Sequence, residues 1–214
     1  MPEKTQAQIE RDASQLRRLQ TLMDVVFGVL LIRIFTLLPH PIKPETGNFD
    51  PLVIFTEGGE NFIMFIIGFI LITIYWIQSN KTTGNLVATD SKHTVLSILQ
   101  LLFLLLYLYS VRLDMETQSD VLALFMQSVS LALAGFAGVA AWVYASKHTE
   151  LVSEAVTLEE TNEIKISILS EPLAAVFTIP FAFIGPGIWN ISWLSVIVLG
   201  VFLKRRHKKR FTTN

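Results

Sequence analysis

Few residues in this sequence could do chemistry, and their placement narrows what that chemistry is. There is no cysteine, so thiol nucleophiles, disulfides and thiolate metal sites are excluded. The histidines are His40, His93, His148 and His207, and each falls at the end of an apolar run or in its flank. The acids Glu57 and Glu60, in FTEGGENF, lie far in sequence from any histidine, which argues against a metal centre. They suit the start of a helix, where the positive end of the dipole favours acids. No phosphate-cradling glycine loop, His-Glu-x-x-His pair or nucleophile elbow is present. The expectation is no enzyme, no catalytic residue, no metal and no cofactor. What remains is Asp24 and Arg33 in DVVFGVLLIRIFTLLP, an acid and a base in an otherwise apolar run. An ionisable group inside a membrane-length segment points to function by default.

The elements that must position these two residues are helices in a membrane. Of 214 residues, 51% are hydrophobic and 16% charged, with mean hydropathy +0.51. Soluble domains carry about 25% charge. A spanning helix needs roughly 20 apolar residues. Six candidates meet that need, at about 19–39, 61–79, 93–111, 121–145, 167–185 and 187–203. The last two are separated by Gly185-Pro186-Gly187, which predicts a helical hairpin. The fold class expected is all-α, a polytopic membrane protein. It comprises an N-terminal flank (1–18), a six-helix domain (19–203) and a basic tail (204–214). The polar N-terminus lacks a signal-peptide pattern, so the first apolar segment is expected to persist.

Lysine and arginine in the flanks orient the chain. Lys4, Arg11, Arg17 and Arg18 precede the first span. Lys81 and Lys92, then Lys147 and Lys165, lie in the second and fourth connections. KRRHKKR, from Lys204 to Arg210, follows the last span. With six spans all of these share one side, and both termini are expected to be cytoplasmic. The tail sits directly against a span, which suits anionic headgroups and not nucleic acid. The acidic stretch His148 to Lys165 has Leu151, Val152, Ala155 and Leu158 at helical spacing and predicts a surface helix. Ala134-x-x-x-Gly138 and Ala137-x-x-x-Ala141 in the fourth span predict close helix contact. Pro172 and Pro180 predict a kink or a late start in the fifth span.

At 3.6 residues per turn, Val25, Val29, Ile32 and Thr36 share one narrow stripe of the first helix. Asp24 and Arg33 are about half a turn apart around the axis, so they cannot face one partner. Asp24 is placed to pair with an arginine or hydroxyl of a neighbouring helix. Two readings of Arg33 stay open. It reaches the outer interface near Pro39, about 9 Å further along the axis, or pairs with Glu57 or Glu60. Alternatively it lines a polar path as an outer charge.

These residues resemble a family. The first helix of the transmembrane-protein-175 type potassium channels begins Arg-x-x-x-Phe-Ser-Asp. Here Arg18-Leu-Gln-Thr-Leu22-Met23-Asp24 keeps the arginine and aspartate at that spacing, with Leu22 and Met23 replacing Phe and Ser. In the second helix Gly68-Phe69 and Tyr75-Trp76 stand where the family has Ser-Phe and Tyr-Trp, and Ser79 replaces a histidine. In the third, Gln100-Leu-Leu-Phe-Leu is similar to the family's Asn-Leu-Leu-Phe-Leu. The resemblance implies a homotetramer in a plasma membrane, on the prokaryotic branch, passing potassium and other monovalent cations. It implies a central pore lined by the first helix, with an apolar constriction at Val29 and Ile32 and an outer polar ring at Thr36. Val25 lies on the same lining. Arg18, Asp24, Trp76 and Gln100 are implied as structural ties. Expected partners are these ions, the bilayer and the chain itself, and no nucleic acid. Rival readings are a non-conducting or anion-selective relative, with Arg33 in the pore, a transporter-like bundle, or a membrane interaction protein acting through its loop and tail.

Overall fold

The computed structural model describes residues 5–38, 59–117 and 120–211. Its helices are α1 (Gln6–Phe35), α2 (Gly59–Thr83), α3 (Ser91–Thr117), α4 (Val121–Lys147), α5 (Leu158–Thr178), α6 (Pro186–Ser192) and α7 (Ser195–Phe211). A 3₁₀ turn, Ile179–Phe183, continues α5. Among the described residues there is no strand, only an isolated bridge between Leu86 and Val152. The described residues thus form an all-helical fold. Among the described residues, four stretches are long and apolar enough to cross a membrane: Ser91–Thr117, Val121–Lys147, Leu158–Phe183 and Pro186–Leu203. In α1 the apolar half is interrupted by Arg18, Asp24 and Arg33.

In lipid the tails are as apolar as leucine, so close van der Waals fit must hold such helices together. Glycines supply that fit. A Cβ at Gly135 of α4 would lie 2.7 Å from Pro172 Cβ of α5. One at Gly138 would lie 2.8 Å from Gln100 Nε2 of α3. The α3–α4 and α4–α5 pairs form the centre of the bundle, with α7 along α5. The main core joins Leu19, Met23, Phe27, Leu30 and Ile34 of α1 to Tyr75 of α2, Leu104 of α3 and Leu131 of α4. A second cluster, at the end where α1 begins, gathers Leu16, Leu86, Trp142, Leu151 and Ile164.

Three sequence expectations change. Residues 148–157 are not a surface helix but a turn-rich connection. Leu151 O accepts from Val87 N (2.9 Å), and Ser153 N donates to Asn85 O (3.0 Å), so the segment spends its backbone on the α2–α3 connection. Only from Leu158 does it become helix, with the Thr157 hydroxyl capping Glu160 N at 3.1 Å. The fifth helix thus starts at Leu158 and runs through Pro172, while Pro180 falls in the tighter 3₁₀ turn. The last apolar stretch is two helices that divide at Trp193 and Leu194. Trp189 of α6 is buried and donates Nε1–H to Ser128 Oγ of α4 at 2.9 Å, which fixes the short helix across the bundle. Gly185 opens it with φ 153°, a conformation that suits glycine.

Candidate functional site

Helix α1 has two faces because its apolar residues outnumber those its own core can take. Leu16, Leu19, Met23, Phe27, Leu30 and Ile34 recur at three- and four-residue spacing and are buried. The opposite side turns away from the subunit. Val25 is 59% exposed, Val29 46% and Ile32 66%. Gly28, between them, has open space around it. The stripe that the sequence predicts is thus one continuous unpartnered surface. Thr36 follows the last turn and is exposed, and its hydroxyl donates to Arg33 O at 2.6 Å. The oxygen keeps lone pairs for another partner.

Arg33 is also exposed and sits in the last turn of α1, where the negative end of the helix dipole favours a cation. Helical geometry puts it about 90° around the axis from the line through Val25 and Ile32. Its pairing with Glu57 or the Glu60 side chain lies outside the described residues, as does Pro39. Asp24 does have a partner. Trp76 Nε1–H of α2 donates to Asp24 Oδ1 at 3.1 Å. The carboxylate therefore meets an indole rather than the arginine or hydroxyl expected from the sequence. Arg18 is exposed, on the same side of α1 as Val25. Ser79 is buried against α1, with its hydroxyl 3.9 Å from Met23 Sδ. Gln100 is buried over Gly138. The structure thus brings Asp24 and Trp76 together and leaves Arg18 and Gln100 apart from them.

Sequence reasoning passed over three polar groups within the bundle. Asp114 of α3 is buried and accepts from Gln127 Nε2 of α4 at 3.1 Å. Glu171 of α5 has one carboxylate oxygen buried without a hydrogen-bond partner. Its signal was available, as an acid directly before a proline inside an apolar run. Gln20 ties α1 to the end of α2 through Thr83 O at 3.2 Å.

Where α1 begins, the α2–α3 connection clasps the end of α4. Asp90 caps α3 by accepting from His93 N at 2.8 Å, and Tyr144 donates to its other oxygen at 2.5 Å. Burial pushes the Asp90 carboxyl up. The Tyr144 bond, the His93 amide and the charges of His93 and His148 outweigh that and hold it below the ordinary value. The His148 ring packs on Tyr144 with centroids 4.2 Å apart. Leu16 of α1 lies in the same cluster, with Tyr144 packed against it, so α1 contacts the clasp directly through its buried face. Among the described residues no group of three or more metal-ligating side chains occurs.

The arrangement offers an apolar, unpartnered helix face with a hydroxyl at one end and charges beside it. A ring of such faces would make a narrow apolar passage that opens by wetting. The model of the family described as Endosomal/lysosomal potassium channel TMEM175 matches residues 18–107. That span runs from Arg18 of α1 to Tyr107 of α3 and covers Asp24, Trp76 and Gln100. It is the family that those residues resemble, and it supports a potassium-channel-type function in a membrane. No curated protein matches the chain.

Proposed function

We propose that four copies of this chain form a potassium-permeable cation channel whose central pore is lined by α1. The carrying observation is the exposure of Val25, Val29 and Ile32 on a helix whose other face is fully packed. Exposed apolar surface alone would fit lipid. The outward surfaces of α6 and α7 are of that kind, with Ile188, Ile191, Ile197, Val198 and Val201. The α1 face differs, because Thr36 and Arg33 lie on or beside it and Asp24 borders it. A helix with that mixture suits a water path better than acyl chains. In this reading Val29 and Ile32 form the constriction, Thr36 an outer polar ring, and Asp24 with Trp76 fixes the rotation of α1 against α2. Six spans, with α1 and α2 as the first two, put both termini in the cytoplasm. In this reading the channel belongs to the prokaryotic branch and sits in the plasma membrane.

Reversal potentials of the purified protein in liposomes under a potassium chloride gradient test this. The expected potential follows potassium and is unchanged in Arg33→Ala. Absence of flux, or a potential that follows chloride and is abolished in Arg33→Ala, would overturn it. The exposure of Arg33 favours that anion-permeable reading as the runner-up.

A further inference from the structure

Helix α1 is 30 residues long, about 45 Å, against a hydrocarbon thickness of about 30 Å. Its first turns therefore project beyond the membrane. They are well begun, since Thr5 N donates to Gln8 Oε1 at 2.9 Å, yet residues 6–11 are all exposed and the first buried side chain is Leu16. Over residues 6–11 the helix buries no side chain in its own subunit and presents its polar groups outward. Arg11, Arg18, Val25 and Ile32 are spaced by seven. Seven residues fall only about 20° short of two full turns, so these positions share one face. All four are exposed. If Val25 and Ile32 face a fourfold axis, Arg18 and Arg11 face it too, with Arg11 about 10 Å nearer the cytosol. The acids closest in sequence, Glu10 and Asp12, lie about 80–100° to either side.

We propose that the cytoplasmic mouth of the tetramer binds a free polyphosphate anion between the Arg11 and Arg18 side chains, and that the bound anion obstructs cation flow. This rests on the tetrameric channel reading above. Guanidinium keeps its charge at any physiological pH, so two stacked rings of four form a permanently cationic ring system. Such a ring repels potassium and concentrates anions. Bringing like charges to one axis is unfavourable unless a multivalent anion sits among them, and the planar fork of arginine matches phosphate oxygens. The face is turned toward the axis and away from lipid, which favours a soluble anion over a lipid headgroup.

Inorganic tripolyphosphate is the ligand to use. In planar bilayers it should reduce potassium current from the side of the N-terminus and not from the other. Arg11→Gln should weaken inhibition about tenfold, and Arg11→Lys, which keeps the charge and loses the fork, should fall between Arg11→Gln and the wild type. Calorimetry on the detergent-purified protein should find one anion per tetramer, whether or not the protein conducts. Potassium current indifferent to tripolyphosphate, equal inhibition from both sides, or inhibition unchanged in Arg11→Gln would overturn the proposal and leave the channel reading intact. A wild-type protein without potassium current would contradict the channel reading and with it the obstruction, and calorimetry would then decide the anion site by itself. Inhibition that requires phosphoinositide in the bilayer and is not given by tripolyphosphate would assign the arginines to lipid and overturn the soluble-anion claim.

Discussion

At the scale of single residues, the Asp24–Trp76 bond is the most informative contact, because it joins the exposed helix to its neighbour across 52 positions. A hydrogen bond to a charged group contributes about 1.5–3 kcal/mol when buried. Asp24 is exposed in the subunit, so the lower end applies. Trp76→Phe and Asp24→Asn are each expected to lower thermal stability in detergent by a few degrees, and the double variant by no more than the worse single one. Additive losses would mean the two act separately. Both residues were visible in the sequence, but their meeting was not. Helical spacing gives the direction of a side chain on its own helix, and nothing in it sets the rotation of α2 against α1. Glu171 went unread for a different reason. Counting the span from residue 167 put the acid near its edge, whereas α5 begins at Leu158 and carries it inside.

At the scale of elements, two glycines make opposite demands. A methyl at Gly135 meets the rigid Pro172 ring, while one at Gly138 meets the flexible end of Gln100. Gly135→Ala should therefore cost more, about 1–3 kcal/mol, than Gly138→Ala, where Gln100 can move aside. Thermal melts of the two variants rank them, and a larger loss at Gly138 would contradict the packing described. The small-residue pattern in the sequence found Gly138 but not Gly135, since it reads one helix and not the proline on another. The clasp gives a pH dependence. Asp90 is held below its ordinary value, so its stabilisation is fully present above the unfolded carboxyl range, near pH 4, and is lost as pH falls through the folded value. Acid titration of the melting temperature should be steeper in the wild type than in Asp90→Asn below about pH 4. Equal slopes would show that the carboxylate has no such role. The clasp itself could not be read in advance. Leu151 and Val152 have helical spacing to Leu158, and only the pairing with Val87 and Asn85 makes them a turn.

At the scale of the whole molecule, the α1 stripe was legible because one helix's periodicity suffices to define it, and its residues are those the fold leaves uncovered. In the proposed channel this uncovered face surrounds a water-filled path. The absence of native cysteine makes the claim open to a clean measurement. A cysteine placed at Ile32 should react with a cationic, membrane-impermeant thiol reagent, and the modification should abolish most of the potassium current. A cysteine placed at Leu133, exposed on the outside of α4, should leave the current unchanged under the same treatment. Full current after verified modification of Ile32→Cys would contradict the assignment of α1 to the pore.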